Sequence, residues 1–150
     1  MIAICLFVIA ISSISASAFD MRADEAQFDT KRKVYHLAGN VTAKLNGKTF
    51  IADKIVIYMN ENGKDAKRVI ATGNVCYRDK KISVTAKSCE SNMFLVTFLK
   101  DVVIEGKDYG ILKADRIVYQ FKSGIVNITS KNRVKFILDN GIESKLIKKK

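Results

Sequence analysis

The residues of this chain that could do chemistry are one histidine, three cysteines, a spaced set of aspartates and a surplus of lysine. His36 is the only histidine and follows Tyr35 in an alternating stretch. No serine elbow and no Cys/His pair at ligand spacing accompanies it. A base without an oriented acid or nucleophile has nothing to activate, so His36 reads as a surface or hydrogen-bonded side chain. Asp24, Asp53 and Asp115 each follow an alanine, one per repeat, at the same corner. A corner aspartate accepts backbone N–H groups in a turn more readily than it gathers a metal. The pattern indicates neither an enzyme nor a cofactor.

The cysteines carry a compartment question. Cys5 lies inside an apolar run with Ala3-Ile4 before it and no lipobox around it. Cys76 and Cys89 belong to the body of the chain, and export would permit a bridge between them. A hairpin turning at Asp79-Lys80 sets Cys76 opposite residues near Ser83 rather than opposite Cys89. Bridged and free forms both stay open.

The net charge of +11 invites nucleic acid or an anionic membrane as partner. Twenty of the 26 basic residues are lysine, scattered except for Lys148 to Lys150. Arginines interleaved with aromatics, which would serve phosphate forks and base stacking, are missing. Nucleic acid is therefore excluded as a partner, and weak attraction to an anionic surface is retained.

The elements that must position these residues are extended. Met1 to Ile14 has no charge and is followed by Ala16-Ser17-Ala18, a small-x-small cleavage site. Residues 1–18 are thus expected to be a signal peptide, with a retained anchor helix as the alternative. A domain over 19–140 and a basic tail over 141–150 follow. Within the domain, period-two alternation dominates. Asn46-Gly47, Asn62-Gly63, Ser123-Gly124 and Asn140-Gly141 supply the positive φ of tight hairpin turns. The fold class is all-β.

The alternation is organised as a repeat. "LAGNVTAKLNG" at Leu37 is echoed by "ATGNVCYRDKK" at Ala71, with Gly-Asn-Val displaced by 34 residues. "ADEAQF", "ADKIVIY" and "ADRIVYQF" open strands of one type, and Ala86-Lys87 fills the matching slot between the last two. A strand centred on Val41, Val75, Val102 or Val134 follows each. Units of about 30 residues cannot bury an apolar face alone, so they must stack. Gly39 and Gly73 fit a bend or bulge where a Cβ would clash.

Stacking sends one set of side chains inward: Val41, Leu45, Ile55, Ile57, Val75, Ile82, Val84, Phe94, Val96, Phe98, Val102, Ile104, Ile117, Tyr119, Phe121, Val134 and Phe136. A filled core and a lipid-lined trough ask for the same residues, and both readings stand.

The stretch "RADEAQFDTKRKVYHLAGNVTAKLNGKTFIADKIVIYMNENG" closely resembles the start of the OstA-like domain of the lipopolysaccharide transport protein A family. "RVIATGNVCY" continues the resemblance, and "LKDVVIEGKDYGILKADRIVYQFKSG" does so more weakly, from Asp20 to about Leu138 overall. Lys100-Asp101 and Asn132-Arg133 stand where the first two units have Gly-Asn. The resemblance implies an incompletely closed β-jellyroll in the periplasm. It implies lipopolysaccharide as cargo, acyl chains inside the roll and the sugar-phosphate head in water. It further implies an upstream same-fold component of the inner-membrane export complex and a downstream outer-membrane insertion protein. An unclosed roll leaves two edges for strand addition and head-to-tail self-association. The first edge is expected at Met21, Ala23, Glu25 and Phe28, and the last at Val134, Phe136 and Leu138, with Lys145 and Lys148 to Lys150 as an alternative cap. A membrane-anchored partner of the same fold and a lipid-free envelope scaffold are the rival readings.

Overall fold

The protein is described by a computed structural model, over residues 19–108 and 110–137. The expected signal peptide, Leu138, the Asn140-Gly141 turn and the basic tail lie outside the described residues. The described chain forms ten strands: β1 (Phe19–Arg22), β2 (Glu25–Asp29), β3 (Val34–Leu45), β4 (Lys48–Met59), β5 (Ala66–Arg78), β6 (Ile82–Asn92), β7 (Leu95–Gly106), β8 (Gly110–Gln120), β9 (Val126–Thr129) and β10 (Lys135–Ile137). They make one antiparallel meander from β3 to β8. β1 and β2 share the outer side of β3, and β9 and β10 share the outer side of β8.

The turns follow from short polar side chains. Asn46 and Gly47 take φ of 49° and 77° between the paired residues Leu45 and Lys48. Positive φ at both central positions matches the strand twist. At the β5–β6 turn, Asp79 Oδ1 accepts the Lys81 and Ile82 N–H groups at 2.7 and 2.8 Å. At β6–β7, Asn92 Oδ1 accepts from the N–H groups of Phe94 and Leu95 at 2.8 and 3.0 Å.

Each long strand is interrupted near its middle. The register shifts between Ala38 and Val41, Ile51 and Lys54, Thr72 and Val75, Thr85 and Ser88, and Leu99 and Val102. Gly39-Asn40, Gly73-Asn74 and Lys100-Asp101 all adopt positive φ there. The interruptions line up across the sheet and bend it along one line. Apolar side chains on both sides of the bend then point to one enclosed core, which joins Val41, Ala43 and Tyr77 to Ile55, Val96 and Phe98. Among the described residues β1 and β2 do not pair with β9 or β10, so the roll is an open jellyroll with two free edges.

Two expectations about the edges change. The first edge strand is not continuous through Met21, Ala23, Glu25 and Phe28. It breaks at Ala23-Asp24, because this Ala-Asp pair sits opposite the Gly39-Asn40 bulge. At the other edge β10 holds Phe136 but starts at Lys135, after Val134. It covers only half of β8, and β9 covers the other half.

Candidate functional site

The site is the inner face of the roll and the line of corners that creates it. The first two corners are each built from an Ala-Asp slot on one strand and a positive-φ Gly-Asn pair on the next. At the first corner Asp24 Oδ2 accepts from Asn40 Nδ2 at 2.9 Å, and the Asp24 N–H donates to Gly39 O at 2.9 Å. At the second, Asp53 Oδ2 accepts from Asn74 Nδ2 at 2.9 Å. A Cβ on Gly39 would stand 2.7 Å from Asp24 Cβ, and one on Gly73 2.8 Å from Asp53 Cβ. Both glycines are therefore required twice, by backbone angle and by the aspartate resting on them.

The expected turn role of the aspartates is met with a different donor at these two corners, the Asn side chain rather than a backbone N–H. Asp115 does accept a backbone N–H, from Lys131 at 2.6 Å, and also the Ser130 hydroxyl at 3.0 Å. These two donors hold its carboxyl below the usual carboxylate range. The third corner exchanges donor and acceptor: Lys87 fills the aspartate slot and its Nζ lies 2.7 Å from Asp101 Oδ2. His36 sits half-buried opposite Gln27 and Val56 on the strand ladder.

The inner face itself is a set of rows crossing the strands. One row runs Ala26, Leu37, Ile55, Ala71, Cys89, Phe98, Ile117, Ile128 by direct pairing. On the other side of the bend the row is Met21, Ala43, Phe50, Tyr77, Val84, Ile104, Leu112, Phe136. Burial is complete in the middle and falls toward both edges. Val41, Leu45, Ile55, Ile57, Val75, Ile82, Val84, Val96, Phe98, Val102, Ile117 and Tyr119 are buried. Ile104, Phe121 and Val134 are partly buried against that core.

Two residues expected inside are corrected. Phe94 is 69% exposed because β7 begins at Leu95. It lies in the β6–β7 turn, where its carbonyl accepts the Phe121 N–H at 3.0 Å. Phe136 pairs with Leu112 in the inner row but is 59% exposed, since no described strand lies beyond β10 to cover it.

Several interior residues escaped the sequence reading. Tyr77 and Val69 continue the alternation of Val75 and Ala71 and needed only a longer count. Leu37 keeps the phase of Val41, Ala43 and Leu45 and needed only a count carried through the Gly39-Asn40 corner. Cys89 lies beyond a corner that shifts the phase after Ala86, so plain alternation could not reach it. Tyr77 is fully buried and its hydroxyl donates to Asp79 Oδ2 at 3.0 Å. Cys89 is buried within the core, which pushes its thiol pKa up. Cys76 stands between inward Val75 and Tyr77 and so faces outward, only partly buried. With side chains on opposite faces of the sheet, the two cysteines are both free.

At the first edge, Phe28 and Tyr35 stack with ring centroids 4.1 Å apart while remaining 44% and 38% exposed. The apolar face is thus accessible at its margins and closed at its centre. Among the described residues no group of three His, Cys, Asp or Glu side chains is placed to hold a metal ion.

Known proteins place this architecture. The fold matches the crystal structure of LptH, the LptA-homologous periplasmic component of the lipopolysaccharide transport device of Pseudomonas aeruginosa. The TM-score is 0.67 at 16% identity, over 82% of this chain and 96% of that one. No curated protein matches the sequence. A family profile described as "LptA/(LptD N-terminal domain) LPS transport protein" matches residues 20–125. With most of the strands, three of the corners and the greater part of the inner face inside that match, the chain belongs to the family of LptA and LptD N-terminal domain lipopolysaccharide transport proteins.

Proposed function

We infer that this protein serves lipopolysaccharide transport as a periplasmic carrier, holding acyl chains against the inner face of the roll. The observation that carries this reading is the unbroken apolar face, running from one unpaired edge to the other. It is not an enzyme; family membership and the task itself call for no bond to be made or broken. Exposing an acyl chain of about a dozen carbons to water costs on the order of 10 kcal/mol, at about 0.8 kcal/mol per CH₂. An apolar path along the roll removes that cost at every step.

The two edges fit the handing-on of cargo. Among the described residues no further strand pairs with their outer sides, and strand addition by a same-fold neighbour would extend both sheet and apolar face. The upstream neighbour in this reading belongs to the inner-membrane export complex and the downstream one to the outer-membrane insertion protein. Unlike edges joined head to tail would also allow copies of this chain to form a filament.

A second reading is favoured by one observation. Tyr77, Val84 and Val96 leave no surface open to water at the centre of the roll. A scaffold with a filled core would look the same there. Photo-crosslinking in cells separates the two. A photoreactive amino acid replaces Phe98 at the centre or Leu112 near the β10 edge, with exposed Lys44 as control. Lipopolysaccharide adducts at 98 or 112 but not at 44 support the carrier. Folded, exported protein that yields no adduct at either interior position supports the scaffold.

A further inference from the structure

The third corner departs from the rule of the first two at every position. The Asp–Gly–Asn set becomes Lys87, Lys100 and Asp101. Lys100 keeps the glycine's left-handed backbone, with φ of 65°, and Asp101 the asparagine's, with φ of 52°. A lysine in that conformation is strained. The Lys87–Asp101 pair does not compensate, because both side chains are more than two thirds exposed at 68% and 69%, and such pairs contribute little to stability. Strain without structural return directs attention to a ligand.

A surface cavity of about 660 Å³ lies beside this corner, between it and the fourth. Lys87, Lys100, Arg116 and Lys131 line it together with Asp101 and Asp115. Both carboxylates are already engaged, Asp101 by Lys87 and Asp115 by Ser130 and the Lys131 N–H. Among the described residues, Lys100, Arg116 and Lys131 have no carboxylate at ion-pair distance. The first two corners offer no counterpart, since there a carboxylate rests on the glycine.

We propose that the groove between the third and fourth corners is a binding site for a phosphate monoester on a sugar-sized body. Lys100 and Lys131 act as point charges and Arg116 as a planar fork on the phosphate oxygens. The cavity volume falls within the usual range for small-molecule sites and exceeds what inorganic phosphate would fill. The ester could be the head of a phosphorylated glycolipid or a soluble sugar phosphate. The inference does not depend on acyl chains occupying the interior.

The test is amide chemical-shift mapping of the full chain at low ionic strength. The probes are inorganic phosphate, glucose 6-phosphate and a deacylated diglucosamine bisphosphate. Shifts are expected at residues 87, 99–101, 115–116 and 129–131. The variant Lys87→Asp/Lys100→Gly/Asp101→Asn restores the pattern of the first two corners, which the fold already accepts. It should keep its amide dispersion and bind each ester at least about tenfold more weakly. Lys44→Gln/Lys54→Gln, elsewhere on the surface, should bind as the parent does. Bisphosphate binding about tenfold tighter than glucose 6-phosphate identifies a glycolipid head as the source, and equal binding identifies a soluble sugar phosphate. Shifts spread over all lysine-bearing faces, or a restored corner that binds as before, would overturn the proposal.

Discussion

Lys87 Nζ lies 2.7 Å from Asp101 Oδ2, in the same slot of the bend where Asp24 and Asp53 accept from Asn40 and Asn74 at 2.9 Å. The polar link across the bend keeps its geometry while donor and acceptor change strands. What the first three corners share is a donor facing an acceptor across two strands and a backbone turned to positive φ. Which strand supplies which is left free.

That freedom makes Lys100 the costly member. A non-glycine residue at left-handed φ costs about 1–2 kcal/mol, partly offset by glycine's greater freedom in the unfolded chain. Lys100→Gly should therefore stabilise the protein by about 0.5–1 kcal/mol in urea titration. A destabilised Lys100→Gly would mean that its side chain holds the corner in a way the Lys87–Asp101 pair does not reveal.

Gly73 and Gly47 provide a matched pair. Both have φ of 77°, but a Cβ at Gly73 would press on Asp53, whereas at Gly47 it would meet nothing within 4 Å. Gly47→Ala should cost about 1 kcal/mol and Gly73→Ala about 2–3, from strain plus a lost hydrogen bond. Replacing Asp53 by Gly in the Gly73→Ala background should recover the clash component. Equal costs at the two glycines would remove Asp53 from the explanation.

The thiols should separate cleanly. Cys76 faces outward and is partly exposed, while Cys89 is enclosed with its thiol shifted away from the reactive thiolate. A maleimide added to native protein should modify Cys76 first, and Cys89 only on unfolding. Mass analysis of tryptic fragments reads the outcome, and early labelling of Cys89 would show that the core opens.

Asp79 and Asp115 should shape acid stability. The Asp79 carboxyl is held below its ordinary value of 3.8: burial opposes ionisation, but the N–H groups of Ile82 and Lys81 and the Tyr77 hydroxyl outweigh it. Asp115 is lowered by the Lys131 N–H and the Ser130 hydroxyl. A depressed carboxylate stabilises the fold above its unfolded pKa and loses that contribution as pH falls through the folded value. Thermal stability should fall as pH drops below about 4. Asp79→Asn should flatten part of that slope, and an unchanged slope would assign it to other carboxylates.

The sequence carried the architecture because the bend is written into short motifs. Gly39-Asn40 and Gly73-Asn74 announce positive φ, and Ala-Asp marks the slot opposite. The third corner was legible by spacing alone, since lysine and aspartate seldom take that backbone. Phe94 was misplaced because Asn92 closes the turn one residue later than alternation implies. The split into β1 and β2 is hidden for a related reason: in the repeat Ala23-Asp24 has the form of a strand opening, whereas it is the interruption within one. Closure of the centre against exposure at the margins is a property of stacked rows. No single strand contains it.

The meander has a consequence for assembly. From β3 to β8 every strand pairs with the strand before it and the strand after it in the chain. No long loop must close before the first contacts form, so the entropic barrier common in β-rich topologies is reduced. A chain released N-terminus first can complete the β3–β4 hairpin with its corner while β8 is still absent. Growth then proceeds by laying one bent strand on the last, and a stall leaves a shorter roll in place of a misconnected one.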